Sequence, residues 1–498
     1  MELKVTHGVI EELETDAIIV GIFKDEQPAG AAKHVDAALN GAISDLIEGG
    51  DLSGKDEDVA VLYPRGAIPA RRVIVVGLGK KEGWDANRAR NATYSAVEKA
   101  RQVKASTAAV ALYDQREVEA MAQAVTEGAL LATYDYRGQK TDEASERRPE
   151  TLELVVPEER NVPLAEQGVT AGEAIFAGVT LTRDLVNLPP NICTPEYMAQ
   201  AARKAAEEVG LRLEVLEKRQ MESLGMGALL GVAQGSDTPP RFIIMEHNAD
   251  RAEELDTIVL AGKGVTFDTG GYNLKTGEGI GHMKTDMAGA AAVIGAMRAI
   301  GALDVPLHVV GLVPAADNMI SGHAYRPQEV ITASNGTSIE VINTDAEGRL
   351  LLADALSFAA RYNPAAVVDI ATLTGACVVA LGKVAAGLFS TDDDLRDRLL
   401  AAGDATDERL WALPLFPEYE KTLKSDTADV KNTGGRGSGV GSSATFLKHF
   451  VSYPAWAHID MAGMAFKQSP KDAPYVPGGK GATGFGVRLL TAFVRSWA

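Results

Sequence analysis

The chain has 498 residues, too many for one ordinary domain, and its 46% apolar and 23% charged content suits a globular protein with large cores. A net charge of −19 argues against nucleic acid or an anionic membrane as the main partner, because both need basic patches. The two cysteines, Cys193 and Cys377, form no CxxC pair, so a disulfide scaffold and a thiolate zinc site are not expected.

The N-terminus, Met1-Glu2-Leu3-Lys4-Val5, carries no basic-then-apolar leader, and no run of eighteen apolar residues occurs. Together with the reduced cysteines, these features predict a cytoplasmic location. In the first third, apolar runs at 17–23, 73–77, 107–112 and 152–156 predict strands. Helical patterns lie between them at 35–47, 88–103 and 116–133. The polar stretch 136–149 reads as a surface loop. A long helical pattern follows Pro163 and breaks at Pro189-Pro190. The expected division is a domain at 1–165, a linking helix at 166–186 and a second domain at 187–498.

The second domain repeats the alternation, with short apolar runs at 257–261, 307–313, 366–370 and 457–461 typical of strands buried on both faces. Helices are predicted at 287–300, 349–361 and 442–452. The fold class is therefore α/β, with two domains, the second built on a central mixed, mostly parallel sheet. In such sheets ligands bind beyond the carboxyl ends of the strands. Lys263 and Asp268 follow the 257–261 run, and Asp345 follows the apolar stretch 339–342.

Those positions belong to a dense charged set: Asp268, Asp286, Asp345 and Glu347, with Lys263, Lys275 and Arg349. Each has an ordinary explanation when taken singly. Asp286 suits the N-cap of the helix that begins with Met287, and Gly348 suits a sharp turn ahead of the helix at Arg349. The loop after Asp268, Thr269-Gly270-Gly271, reads as flexible and open to close backbone approach. Jointly the set asks for cations, because gathered carboxylates cost several kcal/mol per ion unless neutralised. Two divalent metals would balance four carboxylates, polarise a carbonyl and activate water for hydrolysis. Lys275 and Arg349 then supply charge for an oxyanion or a small anion. None of the eight histidines forms an HxH or HExxH pattern.

The octapeptide Asn343-Thr344-Asp345-Ala346-Glu347-Gly348-Arg349-Leu350 resembles the hallmark of the leucyl aminopeptidase (cytosol aminopeptidase) family. Four further blocks resemble that family's signatures in the same order: 186–195, 262–271, 372–375 and 480–486. The resemblance is strong over 180–498 and covers the first third in outline, where it implies a macro-like α/β domain. It implies a tighter metal site of Lys263, Asp268, Asp286 and Glu347, and a more exchangeable one of Asp268, Asp345 and Glu347. The two divalent ions would be zinc or manganese, with magnesium or cobalt also suited to the exchangeable position. Lys263 would ligate as a neutral amine, Lys275 would stabilise the gem-diolate, and Arg349 would hold a bicarbonate serving as general base. Met283, Thr372, Leu373, Gly375, Ala462 and Ala465 match positions lining the pocket for the first side chain, so leucine-like residues of short peptides are the implied substrates. A homohexamer with enclosed active sites is implied as well.

Thr276 stands where the family often has proline, Ala288 replaces a frequent glycine, and the stretch 434–441 is unusually glycine-rich. None of these removes a ligand. The competing readings are a two-metal phosphoesterase or nuclease, and a protein that also binds DNA. Against the second, short basic pieces such as Arg147-Arg148 are the longest present.

Overall fold

A computed structural model describes residues 1–141, 148–435, 437, 439–469, 472 and 476–498. The expected surface loop at 136–149 lies partly outside these residues. So do Arg147 and, within the glycine-rich stretch, Arg436 and Ser438. The chain forms two compact units, Met1–Phe176 and Ala177–Ala498. Their boundary falls inside one 26-residue helix, Val162–Asn187. No helix among the described residues is long and apolar enough to cross a membrane.

The first unit is a six-stranded sheet in the order Glu2–His7, Thr151–Val156, Thr107–Ala111, Ala17–Ile22, Val73–Gly77, Val59–Leu62. All neighbours are parallel except the last pair. The inner strands are buried on both faces, which explains their unbroken Val, Ile and Ala runs. Helices Ala86–Gln102 and Val118–Thr133 cover one face, and Gly30–Ala38 and Ala42–Glu48 cover the other. The single helix expected at 35–47 is thus two. Gly41, at φ +89°, interrupts it, because that backbone conformation cannot continue a right-handed helix.

The second unit holds a nine-stranded mixed sheet, mostly parallel as the apolar runs predicted. Its centre reads Trp456–Asp460, Ala366–Ala371, Thr257–Gly262, His308–Asn318, all mutually parallel. Antiparallel strands Arg241–His247 and Arg212–Leu216 close one side. One face is covered by helices Pro195–Val209, Ala288–Ala302, Asp393–Thr406 and Val487–Trp497, the other by Gly227–Ala233, Gly348–Ala359 and Gly439–Lys448. Helix Ala288–Ala302 lies tight on the sheet. A Cβ at Gly289 would sit 2.1 Å from the carbonyl oxygen of Ile370. Leu350, Leu351 and Leu352 are all fully buried, each contributing about 1.5–3 kcal/mol of apolar burial. That anchors the helix carrying Arg349 without slack.

Candidate active site

Four segments deliver Lys263 and the four carboxylates to the carboxyl edge of the second sheet. Lys263 leaves the Thr257–Gly262 strand, and its amide donates to the Ile370 carbonyl of the neighbouring strand. Asp268 ends the short strand Gly264–Asp268, which pairs with the far end of His308–Asn318. Asp286 follows the 3-10 helix Glu278–Thr285. Asp345 and Glu347 lie in the turn ahead of helix Gly348–Ala359. The strand before Asp345, Ser338–Glu340, belongs to a separate three-stranded sheet and not to the central one.

The carboxylates converge. Oxygen atoms of Asp268, Asp286 and Glu347 all lie within 4.8 Å of one another, and all three residues are buried. Lys263 Nζ donates to Asp286 Oδ1 at 2.8 Å and to the Thr372 carbonyl at 2.8 Å, and stands 2.9 Å from Glu347 Oε1. Lys275 Nζ is 2.8 Å from Asp268 Oδ2 and also pairs with Asp345.

Two ordinary readings of these residues fail. Asp286 does not cap the following helix: its carboxylate accepts from Lys263 and from Thr372 Oγ1, and the helix starts without a side-chain cap. Gly348 is the first residue of its helix and makes no sharp turn. It is small because the Lys263 side chain crosses it, leaving no room for a Cβ. The loop after Asp268 does use glycine for its backbone, with φ +86° at Gly270 and +60° at Gly271. It is pinned, however, by Thr269 donating twice to the Asn318 carbonyl and by the Lys275 amide donating to Thr269.

Electrostatics show a site short of positive charge. Burial, then repulsion from Glu347, pushes Asp268 up to about 7 against the pull of Lys275 and Lys263. Burial likewise raises Asp286 well above the usual carboxylate range, and Asp345 is raised for the same reason. Burial disfavours the charged form of Lys263, but Asp286 and Glu347 outweigh it and hold the amine above its ordinary value. Asp286 Oδ2 and Asp345 Oδ1 face ammonium groups yet accept no well-directed hydrogen bond. Buried oxygens left in that state are unusual. Carboxylate oxygens held by several segments, with Lys263 a donor only once bound cations displace its proton, fit hard divalent cations.

Arg349 is buried, which lowers its guanidinium to about 10 despite Glu347 and Asp460. Its Nη1 donates to the Asn432 carbonyl, while Nε has no partner. It lines a cavity of about 700 Å³ together with Asn343, Asp345, Leu373 and Gly375. Thr372 sits behind the cluster, bonded to Asp286 and Lys263. Ala465 is in the core, Met283 and Ala462 are half-buried, and the Ala462 amide donates to Asp460.

Several residues that the sequence did not single out hold the site in shape. Asn318 Nδ2 donates to Asp268 Oδ1 and to the Thr344 carbonyl, which also accepts from Tyr325. The Asn432 side chain accepts from the Ile342 and Asn343 amides and donates to the Asn343 carbonyl. Asp460 takes the Leu373 amide and the Thr374 hydroxyl. Asn318 ends its strand and Asp460 ends another, so position at a strand's carboxyl end was the available signal.

A model of the cytosol aminopeptidase family catalytic domain matches residues 180–491, and the model of that family's N-terminal domain matches 19–143. A probable cytosol aminopeptidase of Roseiflexus castenholzii is 45% identical, covering 100% of this chain and 99% of the relative. One from Nitrosococcus oceani is 42% identical, covering 99% and 98%. Among solved structures, a mutant of tomato leucine aminopeptidase superposes with a TM-score of 0.88 at 33% identity, covering 100% of this chain and 96% of that one. The bottromycin maturation enzyme BotP in complex with Mn gives 0.83 at 34% identity, covering 97% and 99%.

Proposed function

The chain belongs to the cytosol aminopeptidase family of metal-dependent hydrolases, and from that premise we propose that it removes apolar, leucine-like residues from the amino end of short peptides. The observation that carries this reading is the buried convergence of Asp268, Asp286 and Glu347 around Lys263. Lys263, Asp268, Asp286 and Glu347 would hold one divalent cation, and Asp268, Asp345 and Glu347 a second. Zinc or manganese is the expected metal, with magnesium or cobalt suited to the second position. When bound, such a pair polarises the scissile carbonyl and lowers the pKa of water enough for attack at neutral pH.

The chain's own groups do the rest. The free α-amine of the peptide would sit at the tighter metal position with Asp286 nearby, which would restrict cleavage to the amino terminus. Lys275 remains an ammonium beside Asp268 and Asp345 and donates to the oxyanion that forms on the scissile carbonyl. Arg349, buried with Nε unpaired at the cavity wall, would hold a bicarbonate that supplies the general base. Leu373 and Gly375 border the cavity, and Met283, Thr372, Ala462 and Ala465 complete the proposed recognition set for the first side chain. We further assign residues 1–165 and 187–498 as the functional domains joined by a helix at 166–186, and the working form as a cytoplasmic homohexamer. Light scattering at assay concentration tests the assembly.

Hydrolysis of leucine p-nitroanilide, measured before and after chelation and after adding back single metals, tests the reaction. Activity should vanish on stripping and return with zinc or manganese. Activity indifferent to stripping, or faster hydrolysis of a phosphodiester, would overturn the assignment.

A further inference from the structure

Resting on the aminopeptidase reading of the site, we propose that Asp460 is a positioning residue for side-chain selectivity. Its buried carboxylate ties together the two backbone stretches that receive the first residue of the peptide. Asp460 ends strand Trp456–Asp460, opposite Ala371 at the end of the parallel neighbour Ala366–Ala371. Beyond these two strand ends the chain supplies two separate parts of the recognition set. Thr372, Leu373 and Gly375 follow one strand, and Ala462 and Ala465 follow the other.

Asp460 is 1% exposed, and both of its carboxylate oxygens are engaged. Oδ1 accepts from the Leu373 amide at 3.2 Å, the Thr374 amide at 3.4 Å and the Ala462 amide at 3.3 Å. Oδ2 accepts from Thr374 Oγ1 at 2.7 Å. One side chain thus sets the spacing of the two stretches. Its influence reaches further along the chain. While donating to Asp460, Thr374 Oγ1 accepts from the Cys377 amide at 2.9 Å and so caps helix Gly375–Leu381. Cys377 Sγ donates to the Asp460 carbonyl at 3.5 Å. Of the seven residues in this helix only Cys377 is buried, so packing does little to hold it. Ala376, Val379 and Ala380 of the same helix line the cavity that Arg349 borders.

The charged cluster does not depend on these bonds. Thr372, one residue earlier, is held from the other side: its carbonyl accepts from Lys263 Nζ and its hydroxyl donates to Asp286. The segment is therefore pinned at one end to proposed metal ligands and at the other to Asp460. Releasing the second end moves Leu373, Thr374 and the helix after them, and leaves Thr372 with its partners. A loss of selectivity without a loss of metal or turnover is the signature of that arrangement. The competing role for Asp460 is electrostatic, because its charge also favours the charged form of the buried Arg349 guanidinium. That role would act on turnover and leave the choice of side chain unaltered.

Steady-state kinetics on the full-length, metal-loaded protein tests the assignment, with leucine and alanine p-nitroanilides as paired substrates and metal content measured on the same samples. Asp460→Ala removes every side-chain tie. KM for the leucine substrate should rise about tenfold, and the leucine-to-alanine ratio of kcat/KM should fall by the same factor. Metal content and kcat should stay near wild type, as for a loss of binding shared by ground and transition states. Asp460→Asn keeps an acceptor oxygen for the three amides and should restore most of the ratio. Thr374→Val cuts only the hydroxyl tie and should give a smaller fall in the ratio, which reads the same contact if Asp460→Ala does not fold. The proposal is overturned if Asp460→Ala, or Thr374→Val in its place, keeps the wild-type ratio. It is overturned equally if kcat or metal content falls while the ratio holds, which would assign Asp460 to Arg349 or to the metal cage. Wild-type protein inactive on both substrates would sink the aminopeptidase reading first, and the role of Asp460 with it.

Discussion

Gly348 is the floor on which Lys263 lies: a Cβ at position 348 would be 2.3 Å from Lys263 Cε and 2.6 Å from Nζ. The amine reaches Asp286 and Glu347 only by crossing this helix start with no side chain in the way. Gly348→Ala should therefore push the lysine off its two carboxylates. Overpacking of this kind costs about 1–3 kcal/mol, and the loss should fall more heavily on metal retention than on folding. Elemental analysis of the purified variant should show less than the wild-type metal content, with turnover reduced in parallel. Wild-type content and turnover would mean that Lys263 is not needed where it lies.

Much of this site was legible in the sequence. The carboxylates and lysines sit in loops just past apolar runs, and the sheet places those loops at its carboxyl edge. What could not be read was the reason for particular residues. Gly348 looked like a turn glycine because its neighbour across space, Lys263, is 85 positions away in the chain. Asp286 looked like a helix cap because its partners, Lys263 and Thr372, come from other strands. Asn318 carries no charge and only its place at a strand's carboxyl end to mark it, and Asn432 has neither charge nor a spacing signal. Their roles appear only when their hydrogen bonds are counted. In the first unit, a continuous helical pattern hid the interruption at Gly41.

Asn432 shows the cost of such silent positions. Fully buried, it clamps the 342–346 turn with its amide group while its carbonyl accepts from Arg349. Asn432→Ala leaves part-buried backbone groups of Ile342 and Asn343 without these partners, at up to about 1–3 kcal/mol each. The turn carrying Asp345 should loosen, lowering kcat by more than tenfold, about the effect of 1.4 kcal/mol in the barrier. A variant equal to wild type in kcat, with the same denaturation midpoint, would show that the clamp is dispensable.

A pH effect follows from the buried pair His458 and Asp369, 2.6 Å apart beneath Trp456, whose indole nitrogen donates to the same carboxylate. Burial lowers the imidazole's affinity for its proton, but Asp369 outweighs burial and leaves the pKa above its ordinary 6.5. Asp460 adds to the rise and Arg349 opposes it. Because the folded value is the higher one, this pair's stabilisation is fully present below about 6.5 and is lost as pH rises through the raised value. His458→Gln removes the titrating group. Its stability deficit, read from denaturant midpoints at a series of pH values, should be largest in acid and shrink above pH 6.5. A deficit that does not change with pH would contradict a charged His458.

Lys275 separates holding metals from stabilising charge. It is the less buried of the two lysines, and it pairs with Asp268 and Asp345 on the side that opens to the cavity. Removing it takes away a cation and leaves every proposed ligand in place, so metal content should stay near wild type. The ammonium's donation to the developing oxyanion is lost, and one such donor is worth about 10²–10³ in kcat. Lys275→Ala should thus lower kcat by that factor with little change in KM, since the contact strengthens mainly in the transition state. Lys275→Arg keeps the charge but moves its donors, and should recover only part of the loss. If Lys275→Ala instead loses metal in proportion to activity, the lysine serves the metal cage and the oxyanion role is wrong.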